Sequence, residues 1–360
     1  MKKTLIALTL AALPVASMAD VILYGQIKAG VEIAKTKTKV GGVTNKDATE
    51  TKIADLGSRI GFKGSENIGS DLNAIWQVEN SVNVAGGGEW AGRDSFIGLE
   101  GNFGKVRAGR LSTPLKEIAD GAINPWEYDN NALGLGVYAR TGKRVVSARY
   151  DTPVVAGFSG TLQFTPRDNQ AETGRNDTVN GADYSDTSAY YAGLNYENSG
   201  FFANYAGGYT SSAYTANGEN KSGQIHNVVG GYDANNLLAT VGFQYGNGWD
   251  SVGSYKAALG DDSDAAAADT AGAKTKEIAT TVAYKMGNVT PRVSYAHGWA
   301  AKTANTSKVA GTKYDQIVLG ADYDFSKRTT AMVSAGWLRA GKSNDKTETT
   351  AGLVGVRHKF

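Results

Sequence analysis

The sequence predicts an all-β chain, a 16-stranded antiparallel transmembrane β-barrel. Three observations predict it. Apolar and polar residues alternate with period two along most of the chain, short turns alternate with long polar stretches, and no apolar run of 18 residues follows the N-terminal segment.

The N-terminus sets the compartment. Lys2 and Lys3 precede an almost uncharged apolar run from Thr4 to Val15, and Ser17-Met18-Ala19 places small residues at the −3 and −1 positions of a cleavage site. That layout predicts a signal peptide over residues 1–19, cut between Ala19 and Asp20, with the barrel domain over 20–360. The apolar core is too short for a spanning helix. Cleavage removes two lysines and no acid, so the formal charge falls from +2 to zero, with 35 basic and 35 acidic residues left. Such a balance does not support nucleic-acid binding. The chain has no cysteine although it enters an oxidising compartment, so no disulfide holds it, whereas a closed barrel pairs every strand on both edges.

Strand alternation is clearest at the two ends. Val21, Leu23, Gly25, Ile27, Ala29 and Val31 alternate with Ile22, Tyr24, Gln26, Lys28, Gly30 and Glu32, giving one apolar and one mostly polar face. The same reading holds for Ser58 to Lys63, for Leu72 to Glu79 and for Leu353 to Phe360. Alternation lowers mean hydropathy, here −0.32, while still covering a lipid face.

Short turns are predicted at residues 66–71, 101–104, 152–157, 198–200, 233–236, 286–288 and 324–328. Longer polar stretches lie at about 35–52, 84–92, 111–143, 167–187, 212–223, 247–275, 300–313 and 341–349. Seven turns and eight loops make fifteen connections and therefore sixteen strands, with all long loops on one side. An even count closes the antiparallel pairing. A soluble secreted sandwich or propeller is the competing fold, and nothing in it requires that sidedness. Phe360 closes the last strand on its apolar face, where an aromatic suits the membrane interface and a signal to the barrel-insertion machinery. Trp76, Trp299 and Trp337 fall near strand ends, as an interfacial belt requires.

Several stretches resemble the trimeric general porins of neisserial and related β-proteobacterial outer membranes. They include residues 19–25 (ADVILYG), 57–64 (GSRIGFKG), 72–79 (LNAIWQVE), 103–110 (FGKVRAGR), 287–298 (GNVTPRVSYAHG) and 357–360 (RHKF). The resemblance runs the length of the mature chain and is carried by the strands. It implies three associated barrels, each with its own pore for ions and small hydrophilic solutes. It also implies that the third long loop, 111–143, folds into the lumen. Outer-membrane lipid and lipopolysaccharide would surround the trimer, and apolar outward positions of the first and last few strands, including Leu23, Ile27, Val354 and Val356, would make the contacts between barrels, with plain lipid contact the equal alternative for each.

In that family basic wall residues face acids on the inward loop. Arg59, Arg93 and Arg149 stand in matching contexts and on polar strand positions, and Lys28 and Lys63 share those faces; Gln26 stands where many relatives have a lysine. The loop offers Glu117, Asp120, Glu127 and Asp129, with Glu117 and Asp120 the first choice. A ring of charges nearest the narrowest point would set selectivity, with a lean toward anions.

Other classes fare less well. An enzyme barrel needs a nucleophile beside a positioned histidine, and His226, His297 and His358 have no such motif around them. No cysteine and no close histidine pair favours a metal site, and no cofactor is expected. An adhesin-like barrel that binds host molecules through its loops is the alternative function.

Overall fold

The computed structural model describes residues 21–86, 91–126, 130–167, 188–216, 219–261 and 269–360. The predicted signal peptide, with Ala19 and Asp20, lies outside the described residues. Among the described residues, eighteen strand segments make one antiparallel sheet. The first four are β1 (Ile22–Val40), β2 (Val43–Lys46), β3 (Glu50–Asp55) and β4 (Arg59–Gly69). β2 pairs with the far end of β1, β3 with residues 29–34 and β4 with residues 22–26, so together they form one interrupted wall strand. The wall therefore has the sixteen strands predicted.

The remaining segments follow as an up-and-down meander. They are β5 (Leu72–Ser81), β6 (Ser95–Gly101), β7 (Gly104–Ser112), β8 (Arg144–Asp151), β9 (Phe158–Thr165), β10 (Ala189–Asn198) and β11 (Phe201–Ala216). Then come β12 (Glu219–Ala234), β13 (Leu237–Ser251), β14 (Gly272–Tyr284), β15 (Val289–Gly298), β16 (Tyr314–Asp324), β17 (Thr329–Lys342) and β18 (Asp345–Lys359). β1 pairs with β18 from Gln26↔Lys359 to Lys39↔Lys346, which closes the barrel. Gly25 and Phe360 extend that seam by exchanging two backbone hydrogen bonds of 3.1 Å. Closure leaves no open edge, and that permits a sheet to stand in hydrocarbon.

All seven predicted short turns fall between consecutive strands. Three of them are two-residue turns with both residues at positive φ, Ser70-Asp71, Ser199-Gly200 and Asn235-Asn236, the geometry that continues the strand twist. Three of the eight long loops differ from expectation. Residues 35–52, 212–223 and 341–349 largely continue the strands: β1 and β2 meet at Gly41-Gly42, and β17 and β18 meet at Ser343-Asn344. Above the membrane both faces of a hairpin are wet, so alternation loses its contrast and strand reads as loop.

The outward face is apolar and bare in the single chain, with Ile97 69%, Leu162 64% and Val354 65% exposed. Lipid or a neighbouring barrel covers such a band. No helix is long and apolar enough to cross a membrane among the described residues.

Candidate pore constriction

The third loop leaves β7 at Ser112 and rejoins the wall at Arg144, the start of β8. It carries α1 (Pro114–Ala119), a 3-10 turn (Asn131–Leu133) and α2 (Gly136–Ala139). Thr113 caps α1 by accepting a hydrogen bond from the Lys116 amide, and Pro114 suits the first helical position. The loop then crosses the lumen. Leu133, Leu135, Val137 and Tyr138 are fully buried, in a cluster that includes Ile225, Val229 and Val318 of the opposite wall. The hydrophobic core of this protein thus lies between a loop and the inside of the sheet.

Hydrogen bonds fix the loop near mid-height. Trp126 donates to Ser294 at 2.8 Å, Thr281 donates to the Ile123 carbonyl at 2.6 Å, and Tyr138 donates to Asn227 at 3.0 Å. Gln316 donates to the carbonyls of Asn131 and Gly134. Gly336 on β17 lies directly under the Ala132 carbonyl, where any Cβ would collide. Arg140 makes the strongest anchor, with Glu277 at 2.7 Å and Asp250 at 2.9 Å. The sixth loop adds α3 (Val252–Ala258), whose buried Tyr255 ring lies 4.4 Å from the Arg140 guanidinium. Burial alone would lower the Arg140 pKa, but the charges of Glu277 and Asp250 outweigh it and hold it above the ordinary arginine value.

The opposite side of the loop faces the wall of β4 to β8. Arg149 lies on the inward set of β8, only 5% exposed in its side chain, and pairs with Glu117 of α1 at 2.7 Å and Asp151 at 2.7 Å. This contact joins a wall arginine to a loop acid. Asp120 caps the end of α1 and pairs with Lys116 at 2.6 Å, four residues back in the chain. Glu127 and Asp129 lie outside the described residues.

Arg59 begins β4, and its Nε stands 3.7 Å from Glu79 of β5. Arg93 also contacts Glu79, but not from a strand. It lies two residues ahead of β6, in step with the outward Ile97 and Leu99, and reaches inward past the point, Gln77↔Phe96, where the regular pairing of β5 with β6 ends, although its amide still donates to the Glu79 carbonyl at 3.2 Å. The expectation that Arg93 sits on an inward strand position is corrected accordingly. Both arginines meet a wall acid rather than a loop acid. Lys28 is buried on β1, and its backbone amide donates to Ser58 at 2.8 Å. Lys63 lies 5.3 Å from the Tyr24 ring centroid. It also lines a cavity of about 610 Å3 shared with Arg149, Glu117, Gln77 and Arg107.

Sequence reasoning did not single out Glu79, Arg107, Arg140 or Arg144. Arg107 pairs with Asp151 at 2.6 Å and Arg144 approaches Asp94 at 3.5 Å. Alternation marked Glu79 as a polar-face residue, but its central position depends on strand pairing. Among the described residues no group of three or more His, Asp or Glu side chains could hold a metal ion.

A closed sheet with an apolar outer band and a charged lumen narrowed by an inward loop defines a membrane-spanning diffusion channel. The comparisons identify which. A family model described as Gram-negative porin matches residues 28–360, and the chain belongs to that family. It is 51% identical to the major outer membrane protein P.IB of Neisseria sicca, with 100% of both chains covered. The anion-selective porin from Comamonas acidovorans superposes with a TM-score of 0.68 at 20% identity, covering 95% of this chain and 100% of that one. The in-vitro folded trimer form of OmpT, an outer membrane protein of Vibrio cholerae, superposes with a TM-score of 0.65 at 14% identity, covering 95% and 99%. The protein is a passive porin channel of the outer membrane.

Proposed function

We propose that ions and small hydrophilic solutes pass between the third loop and the β4–β8 wall, and that wall arginines set a preference for anions. The Arg149–Glu117 ion pair carries this reading, because it brings the wall charge and the loop charge into one cross-section. Along that wall Arg59, Arg93, Arg107, Arg144 and Arg149 outnumber Glu79, Asp94 and Asp151, Lys105 and Glu100 pair with each other, and Lys28 lies on the adjoining β1. Lys63 extends the basic side toward the cavity below, and Glu117 with Asp120 supplies the acidic side. The excess of fixed positive charge in a confined aqueous path favours anions. The test is the reversal potential across a salt gradient in planar bilayers. Replacing Arg59, Arg93 and Arg149 by glutamine shifts it toward cations, and an unchanged potential would overturn the assignment.

The same reading takes the working form as a homotrimer in a lipopolysaccharide-bearing outer leaflet. The bare apolar faces of β1 and β18, including Leu23, Ile27, Val354 and Val356, support an outward partner. Export follows from a signal peptide cut before Asp20, which N-terminal sequencing of the mature protein checks. Assembly by the barrel-insertion machinery through Phe360 predicts that Phe360→Ala slows trimer formation in cells while the purified chain still refolds.

A further inference from the structure

The cavity of about 610 Å3 runs from the foot of the third loop toward the turns, against the inward face of β4 to β8. Three register rows build its wall. Lys63, Gln77 and Phe96 share the first. Two residues toward the turns, Ser65, Gly98 and Arg107 fall in the second, and Glu100 and Lys105 fall in the third. Gly98 carries no side chain, so Arg107 lies across it onto the Phe96 ring, 5.1 Å from the centroid; a Cβ there would stand 2.9 Å from the Arg107 stem. Among the described residues four basic and three acidic side chains line the cavity, so it is dipolar rather than simply basic.

Most of these charges are matched inside the wall. Arg107 pairs with Asp151 at 2.6 Å and Arg149 with Glu117 at 2.7 Å. Two poles stay open to a solute. Lys63 is exposed, and among the described residues its ammonium meets only the Tyr24 ring. Glu100 pairs with Lys105 at 3.2 Å, yet its side chain is 45% exposed. Two strands and four residues separate Lys63 from Glu100, roughly 10 Å across the sheet and 13 Å along it at the backbone. Both side chains turn into the cavity, which leaves their charged ends on the order of 10 Å apart. Ser65 is exposed between them. The Gln77 amide donates to the Asp94 carbonyl at 3.2 Å, which leaves its side-chain oxygen to accept from a solute.

We infer that this cavity is a binding station for short peptides with free termini. The terminal carboxylate meets Lys63, the terminal ammonium meets the exposed edge of Glu100, and Ser65 and Gln77 take backbone groups between them. Two to three extended residues span roughly 7–11 Å, which matches the separation of the poles, and a single amino acid is too short to reach both. A simple anion would use Lys63 alone and leave Glu100 facing it. The inference rests on the path along the β4–β8 wall proposed above and names a solute class for it.

The test is blockage of single-channel current in planar bilayers by trialanine, with N-acetyl-trialanine, trialanine amide and alanine alongside. Trialanine is expected to interrupt the current at about tenfold lower concentration than the other three, since each of them lacks one charge-assisted contact. Lys63→Gln should weaken trialanine to the level of its amide and leave blockage by the amide unchanged. Glu100→Gln should weaken trialanine to the level of the acetylated peptide and leave blockage by that peptide unchanged. A role in the fold alone would not sort the ligands by terminus. Equal blockage by the free and acetylated peptides would make the cavity a plain anion site and overturn the inference. Variants that weaken every ligand alike, or no blockage by trialanine at all, would overturn it too. Reversal potential in the same membranes reads the selectivity separately. Channels that prefer anions but do not rank the peptides would remove the station alone, and channels that rank the peptides without preferring anions would remove the selectivity reading alone.

Discussion

Arg140 of the third loop donates to Glu277 of β14 at 2.7 Å, and the Glu277 carboxylate has no exposure to solvent. Gln244 and Tyr314 donate to the same carboxylate. The pair therefore fastens a loop to the opposite wall at a place where neither charge is hydrated.

Removing one member leaves the other buried and unmatched, which costs about 3–5 kcal/mol. Arg140→Ala is expected to release the middle of the third loop while the barrel stays closed. Limited proteolysis of the folded protein should then cut within 113–143, where the parent resists, and the apparent Tm should fall. The double variant Arg140→Ala, Glu277→Gln should recover part of the loss, because the orphaned carboxylate is gone.

Two tyrosines beside this anchor respond to pH. Burial, reinforced by the Glu277 charge, pushes the Tyr138 and Tyr255 phenols above their ordinary value near 10. An acid whose folded pKa is raised favours folding fully below its unfolded pKa and loses that contribution as pH rises past it. Docking of the third and sixth loops should thus hold at neutral pH and weaken only above about pH 10. In an ultraviolet titration, Tyr138→Phe and Tyr255→Phe should remove nothing from the class ionising near pH 10.

Gly336 tests the loop's seat from the wall side. A side chain there meets the Ala132 carbonyl, so Gly336→Val must displace the 3-10 turn at a cost of about 1–3 kcal/mol. Single-channel conductance should change in a folded, heat-resistant barrel. An unchanged conductance would mean that the loop does not sit on β17.

Glu79 sits between Arg59 and Arg93 on the wall. Glu79→Gln removes one negative charge and keeps the shape. Anion preference, read as reversal potential, is expected to rise, opposite in sign to the arginine substitutions. At high salt the difference should shrink as the exposed charge of Arg59 is screened.

The strands and turns were legible because they depend on local chemistry. A period-two pattern such as Leu23 to Val31 places one face in lipid wherever the neighbours lie, and a pair such as Asn235-Asn236 turns the chain without outside help. Sixteen strands, their sidedness and the identity of the longest loop followed from that. Lys28 and Arg149, inside regular strands, could be placed on a face by parity alone.

What the tertiary structure decided is non-local. Arg93 has the parity of an outward residue and faces inward because the regular pairing of β5 with β6 ends before it. Glu79 joins two arginines 20 and 14 positions away through strand pairing. The third loop is held by Glu277, Ser294 and Gln316, each more than 130 residues further along the chain. Sequence periodicity reports which face of a strand is wet. It carries no information about which distant strand a wet side chain will meet, and at this pore that meeting sets the field.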